Sequence, residues 1–240
     1  MKILFINTIS MIEKRTSNSR GSTNIGWLDS RHSFSFGSYQ DPERTQWGAL
    51  RVLNDDWVAE GKGFGTHPHR NAEIVSYVLE GELEHRDSMG NGGTIMPGSF
   101  QYMSAGRGVT HSEFNPSKEN RAHFIQIWIL PNQLDTEPHY TEFKSIPKAT
   151  GMQLVASGDG TVDPPIAWHA DSELYRGQLE TGSVLELPLN RNRAFLHITR
   201  GRFSVGEHQL EPGDALAIAD EPSVSVEAAE AGEFLWFDLD

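Results

Sequence analysis

The sequence contains no cysteine among its 240 residues. That excludes disulfide bridges, thiolate metal sites and cysteine nucleophiles, so any bound metal must be held by histidine and carboxylate side chains. Basic residues are scarce as well: 20 Lys and Arg stand against 33 Asp and Glu, a formal net charge of −13. After Arg202 there are ten acids and no Lys or Arg at all. Such a surface repels a phosphate backbone, which argues against direct nucleic-acid binding. Long apolar runs are missing too. The opening MKILFINTIS is too short for a membrane span and lacks the small-residue cleavage pattern of a signal peptide. Residues 1–10 read as a leading extension, either an extra strand or a stretch ahead of a start at Met11. Nothing directs export or insertion, so the expected location is the cytoplasm.

What is present favours a folded all-β chain. The hydrophobic fraction is 37% and the aromatic fraction 10%, with six Trp, enough for real cores. The length suits one large all-β unit or two domains of about 120 residues each. No long segment keeps a helical period. Short apolar runs such as ALRVLND (49–55), EIVSYVLEGELEHRD (73–87), AHFIQIWIL (122–130) and FLHITRGRFSV (195–205) are broken by Gly, Pro, Asn and Asp, the pattern of a sandwich or barrel. Glu80-Gly81, Met89-Gly90-Asn91-Gly92, Pro97-Gly98 and Pro212-Gly213 read as turns, the first two as hairpins. The stretch 131–170, with Pro131, Pro138, Pro147, Pro164 and Pro165, reads as a crossover between two lobes that includes a short helix. The domains expected are 11–135 and 136–240.

A weak internal repeat supports two lobes. Gly81 aligns with Gly201, and Pro97-Gly98 with Pro212-Gly213. Counted from these anchors, His67 and His69 correspond to Leu187 and Leu189, while His111 and Glu113 correspond to Val226 and Ala228. One lobe is expected to carry a polar site that the other fills with hydrocarbon.

His67 and His69 in THPHRNAE, and His111 and Glu113 in VTHSEFN, are the strongest chemical signal. Each pair is spaced i, i+2, which on a strand places both side chains on one face. Two such strands facing each other converge three imidazoles and a carboxylate, a donor set for one divalent transition metal. Glu73 is the alternative carboxylate, and Glu113 is preferred because it shares a face with His111. His32, His85, His139, His169, His197 and His208 are scattered singly and read as surface or hydrogen-bonded groups. His123 alternates with Ile125, Ile127 and Ile129 and is a candidate to point into the barrel behind the ligands. Phe64, Tyr77, Phe100, Met103 and Trp128 are candidates to line an aromatic-accepting pocket, with core packing the competing role.

Gly61, His67, His69, Glu73 and Gly81, followed by Gly98, Gly106, His111 and Asn115, resemble the two-part cupin signature. Two departures stand out. Glu73 sits close to His69 and Gly81 comes one residue late; in the second half Ser104-Ala105-Gly106 replaces Pro-x-Gly, with a longer gap before His111. The strings RHSFSFGSY, LRVLNDD (50–56), GFGTHPHRNAEIVSYVLEGELEHRDSMGN (63–91), MSAGRGVTHSEFNPS (103–117) and IQIWILP (125–131) closely resemble the pirin family, and within it bacterial pirin-like quercetin 2,3-dioxygenases. The resemblance runs from about Met11 to the C-terminus and leaves out MKILFINTIS. It implies a bicupin monomer with one metal, usually iron, held in the N-terminal barrel by His67, His69, His111 and Glu113, and a C-terminal barrel without ligands. It further implies a flavonol-type substrate opened by O2, with Glu113 as the proton acceptor and Fe(II) as the leading metal. The same donors suit Mn, Ni, Cu, Zn and Co. Family members are also described as transcriptional co-regulators, so a metal- or redox-sensing protein is the rival expectation, its acidic C-terminal part meeting a basic protein partner.

Overall fold

The computed structural model describes residues 11–144, 150–158, 160 and 163–240. The leading extension 1–10, and Pro147 in the crossover, lie outside the described residues. The first twelve strands are β1 (Met11–Arg15), β2 (Gly21–Asn24), β3 (Leu28–His32), β4 (Leu50–Val58), β5 (Gly63–His69), β6 (Glu73–Glu80), β7 (Leu83–Asp87), β8 (Gly92–Ile95), β9 (Ser99–Ser104), β10 (Val109–Phe114), β11 (Ala122–Ile129) and β12 (His139–Lys144). Eight more follow: β13 (Gly151–Ser157), β14 (Ile166–Ala167), β15 (Ser172–Leu179), β16 (Val184–Pro188), β17 (Arg193–Val205), β18 (His208–Leu210), β19 (Ala215–Ala219) and β20 (Ser223–Leu239). Among the described residues there is no α-helix; the described part of 131–170, where a short helix was expected, carries β12, β13 and β14 instead.

Seven strands form one sheet in the order β12-β9-β6-β11-β4-β3-β2, and β5-β10-β7-β8 form a four-stranded sheet over one of its faces. The second lobe is a nine-stranded sheet with the spine β1-β19-β17-β20-β15-β13-β14. Strand pairing crosses the 135/136 division both ways: β1 pairs with β19 of the second lobe, and β12 pairs with β9 of the first.

The alternation in β11 shows how sequence sets these layers. Ile125, Ile127 and Ile129 face outward from the first barrel and join Leu53, Val75 and Phe100 against Phe195, Leu235 and Phe237 of the second lobe. This shared core welds the lobes. Phe124, Gln126 and Trp128 face the other way, into the space beneath the four-stranded sheet. A strand buried on both faces needs apolar residues at nearly every position, hence the run FIQIWI.

The glycine anchors of the repeat adopt one motif twice. Gly81 and Gly201 have φ of +70° and +77°, and a Cβ on either would meet a carbonyl oxygen (Arg121 or Ala231) at 2.5 Å. The Gly98 N–H donates to Val78 O at 2.9 Å, and the Gly213 N–H to Ile198 O at 2.8 Å. Gly81 is not a hairpin turn as expected. It is a corner where the chain leaves the seven-stranded sheet for the four-stranded one, since β6 and β7 do not pair; Ser88–Asn91 does close a hairpin, because β7 pairs with β8.

Candidate metal centre

β5 and β10 run antiparallel, with His111 opposite His67 and Val109 opposite His69. The i, i+2 spacing projects His67 and His69 from one face. Ring centroids are 4.7 Å apart for His67 and His69, 4.5 Å for His67 and His111, and 4.9 Å for His69 and His111. One ligand nitrogen from each lies within 4.8 Å of the others. The Nε2 atoms of His67 and His111 stand 3.1 Å apart. Two nitrogens about 2.1 Å from one cation and at right angles around it are about 3 Å apart, so this is the spacing of neighbouring ligands. His67 Nδ1–H donates to the Gly65 carbonyl at 2.7 Å, which fixes the tautomer and leaves the Nε2 lone pair aimed at the centre. Burial, then repulsion by the neighbouring rings, pulls His69 down to about 4 and His111 to about 3. Both imidazoles are therefore neutral at pH 7, the form that ligates.

A register shift between His111 and Glu113 marks a bulge in β10, a device that re-aims a side chain. Glu113 is buried and lines the same cavity as His67 and His69. Its Oε1 accepts the Ser76 hydroxyl and its Oε2 the Gln126 amide, each at 2.7 Å. Each carboxylate oxygen keeps a further lone pair. A Glu113 oxygen lies within 4.8 Å of ligand nitrogens on His111 and His85, so the carboxylate approaches from the His111 side. Glu73 is buried elsewhere, its oxygens taken by the Tyr102 hydroxyl and, at 2.9 Å, by Ser104.

His85 is not a scattered histidine. It is fully buried, with Nδ1 3.5 Å from His111 Nδ1, Nε2 3.3 Å from Asp87 Oδ2, and its ring stacked on Tyr140. The readable signal was the i, i+2 pair His85 and Asp87 on the strand that faces β10. His123 points away from the lumen, with the isoleucines toward the second lobe; it stacks on Trp57 and its Nε2 meets Asp55 Oδ1 at 2.5 Å. His197 is also wholly buried, between the lobes. Of the five aromatic-pocket candidates, Phe64 and Trp128 line the cavity. Tyr77 and Phe100 belong to the core between the lobes, and Met103 packs in a small cluster with Ile74 and Val109.

The cavity between the sheets holds about 220 Å³. Beneath it runs a polar row that sequence reading missed, of which His32, Asn54 and Gln126 line the cavity. His32, Asn54, Gln126, Ser76 and Gln101 lie directly opposite one another on five neighbouring strands. His32 Nδ1–H donates to Asn54 Oδ1 and the Thr23 hydroxyl donates to His32 Nε2, both at 2.9 Å. Beside the row, Asp56 accepts the Ser30 hydroxyl. Burial pushes the Asp56 carboxyl up to about 7, with Asp55 and Glu113 adding repulsion. Polar residues interleaved with apolar ones inside strands offer no period to read, which is why only the facing histidines were legible.

Two barrel lobes in one chain, with imidazoles and a carboxylate gathered inside one of them, define a bicupin of the metal-binding type. The chain belongs to the pirin family. The Pirin family model matches residues 13–129, and the model for the quercetinase C-terminal cupin domain matches residues 154–239. Quercetin 2,3-dioxygenase of Escherichia coli strain K12 is 45% identical over 231 residues, spanning 95% of this chain and 99% of that protein. The crystal structure of YhhW from Escherichia coli superposes with a TM-score of 0.92 at 43% identity, covering 96% of this chain and 98% of that one. The nickel(II) complex of that bacterial pirin gives 0.91 at 43% identity, covering 95% and 99%.

Proposed function

We propose that this chain is a metal-dependent dioxygenase that opens a flavonol such as quercetin with O2. The observation that carries the reading is the convergence of His67, His69 and His111, with His67, His69 and Glu113 lining a cavity that Phe36, Phe64 and Trp128 also line. The family supports it, since the Escherichia coli relative is named for that reaction. His67, His69, His111 and Glu113 hold one divalent transition metal. Fe(II) is the leading choice, and Mn, Ni, Cu, Zn or Co suit the same donors. When bound, such a cation supplies Lewis acidity that lowers the pKa of the substrate's enol hydroxyl. Glu113, fixed by Ser76 and Gln126, receives that proton on a free carboxylate lone pair. The aromatic walls hold the planar substrate and exclude water. Both atoms of O2 enter the opened ring and carbon monoxide leaves. The protein acts as a monomer on a small aromatic molecule.

The test is direct. The purified protein is analysed for metal, reloaded anaerobically with Fe(II) or Ni(II), then mixed with quercetin and O2. Metal-dependent O2 uptake matching flavonol loss is expected. A protein that holds metal but consumes no O2 with quercetin refutes the reading.

A further inference from the structure

Across the cavity from the histidines, β4 presents two polar side chains that are each only half satisfied among the described residues. Asp56 and Asn54 are spaced i, i+2 and both line the cavity. Asp56 uses Oδ1 to accept from Ser30, and Asn54 uses Oδ1 to accept from His32. Among the described residues neither Asp56 Oδ2 nor Asn54 Nδ2 has a hydrogen-bond partner, and neither is among the fully occluded orphan atoms. Both are therefore open to the cavity. A carboxylate oxygen and an amide nitrogen that face a cavity without protein partners are free to pair with a ligand that supplies the complement. The two groups differ in kind: the ionised carboxylate oxygen only accepts, while the amide nitrogen only donates. A ring hydroxyl does both. The surrounding network also fixes their orientation: Thr23 bonds His32, His32 bonds Asn54, and Ser30 bonds Asp56.

We propose that Asp56 and Asn54 form a hydroxyl-recognition subsite, in which Asp56 Oδ2 accepts the O–H of a substrate ring hydroxyl and Asn54 Nδ2 donates to a hydroxyl oxygen of the same ring. This deepens the flavonol reading and rests on it. The substrate class is narrowed to polyhydroxylated aromatics, because a bare ring would leave both groups unpaired. A site built to pair a hydroxyl discriminates strongly against the analogue lacking it. Asp56 and Asn54 are thus specificity-determining, with no part in holding the metal.

The experiment compares anaerobic binding of quercetin and of 3-hydroxyflavone, which keeps only the enol hydroxyl, to the metal-loaded protein by tryptophan fluorescence. Asp56→Ala should weaken quercetin on the order of tenfold to a hundredfold and leave 3-hydroxyflavone within about threefold of wild type. Asp56→Asn keeps an acceptor for Ser30 and so protects the fold; it should show the same selective loss, smaller in size. Equal weakening of both ligands by Asp56→Asn, or none for either, overturns the subsite. Wild-type protein that binds metal but neither flavonol overturns the flavonol reading itself, and the subsite with it.

Discussion

Replacing Glu113 by glutamine should separate the metal from the fold. In the wild-type protein one Ser76 hydrogen faces two acceptors, Glu113 Oε1 at 2.7 Å and Gln126 Oε1 at 3.0 Å, while Gln126 Nε2 donates to Glu113 Oε2 at 2.7 Å. A glutamine at 113 keeps its oxygen for Ser76 but turns an N–H2 toward the Gln126 amide. Rotating the Gln126 amide by half a turn repairs the conflict. Gln126 Oε1 then accepts from residue 113, and Gln126 Nε2 donates to Ser76 Oγ, so all three contacts carry one hydrogen each. With no buried donor left unpaired, urea unfolding of the metal-free variant should stay within about 1 kcal/mol of wild type. The negative charge next to the cluster is gone, and metal affinity measured by chelator competition should fall about tenfold or more, which is about 1.4 kcal/mol. Glu113→Ala is the contrast: Ser76 still has Gln126 Oε1 as an acceptor, but the Gln126 N–H2 donor is stranded, at about 1–3 kcal/mol for the group left unsatisfied. If Glu113→Gln binds metal like the wild type, the carboxylate is not a ligand. If its metal-free form loses several kcal/mol, the proton accounting is wrong.

Other expectations concern the frame around the site. Glu233 accepts from Tyr77, Thr199 and Arg176 where the lobes meet, so Glu233→Ala should cost about 3–5 kcal/mol in urea unfolding, and pairing it with Arg176→Met should recover much of that. Among the described residues His197 is buried without a hydrogen-bond partner; burial and the Arg20 charge hold it down, to about 3. The folded state disfavours its proton, so stability present above the ordinary histidine pKa is lost as pH falls from about 6.5 toward about 3. His197→Leu should flatten that part of the acid limb while changing neutral-pH stability little, measured as urea midpoints across pH. Gly81→Ala meets both a positive φ and the Arg121 carbonyl and should cost about 1–3 kcal/mol in the same unfolding assay.

The sequence spoke clearly where a chemical type recurs at a structural period. His67, His69 and His111 were legible because an i, i+2 imidazole pair with a third imidazole on the paired strand has few structural uses, and the glycine anchors because a positive φ beside a close backbone leaves few substitutes. The partners of the site were not legible. His85 meets His111 only through the pairing of β7 with β10, and Asp56 meets the cavity only because β4 turns its even residues inward. Such register is fixed by strand order, which no local pattern reveals. The repeat was read with an offset of two. Pairing places Leu187 opposite Val224, as His67 lies opposite His111, and Val205 opposite Val226, as His85 lies opposite Glu113. The counterparts of His111 and Glu113 are therefore Val224 and Val226, because the second copy is two residues shorter after its Pro-Gly corner.

That corrected alignment explains how one fold serves two purposes. Five residues before their corner glycines lie Ser76 and Leu196, and three after the Pro-Gly corners lie Gln101 and Leu216. Each pair occupies the same place in its sheet: Gln126, Ser76 and Gln101 run across the first lobe as Trp236, Leu196 and Leu216 run across the second. The second lumen is closed hydrocarbon, built from Leu187, Leu196, Leu216, Val226, Phe234 and Trp236. The first keeps polar atoms that it does not fully satisfy, for both ends of the Gln101 amide are buried without partners among the described residues. An isolated barrel with that polar row would lose stability on every unpaired group. The shared core between the lobes offsets this cost, since it buries apolar side chains from both sheets. On this reading the hydrocarbon lobe is the structural support that lets its twin remain polar, and therefore chemically useful.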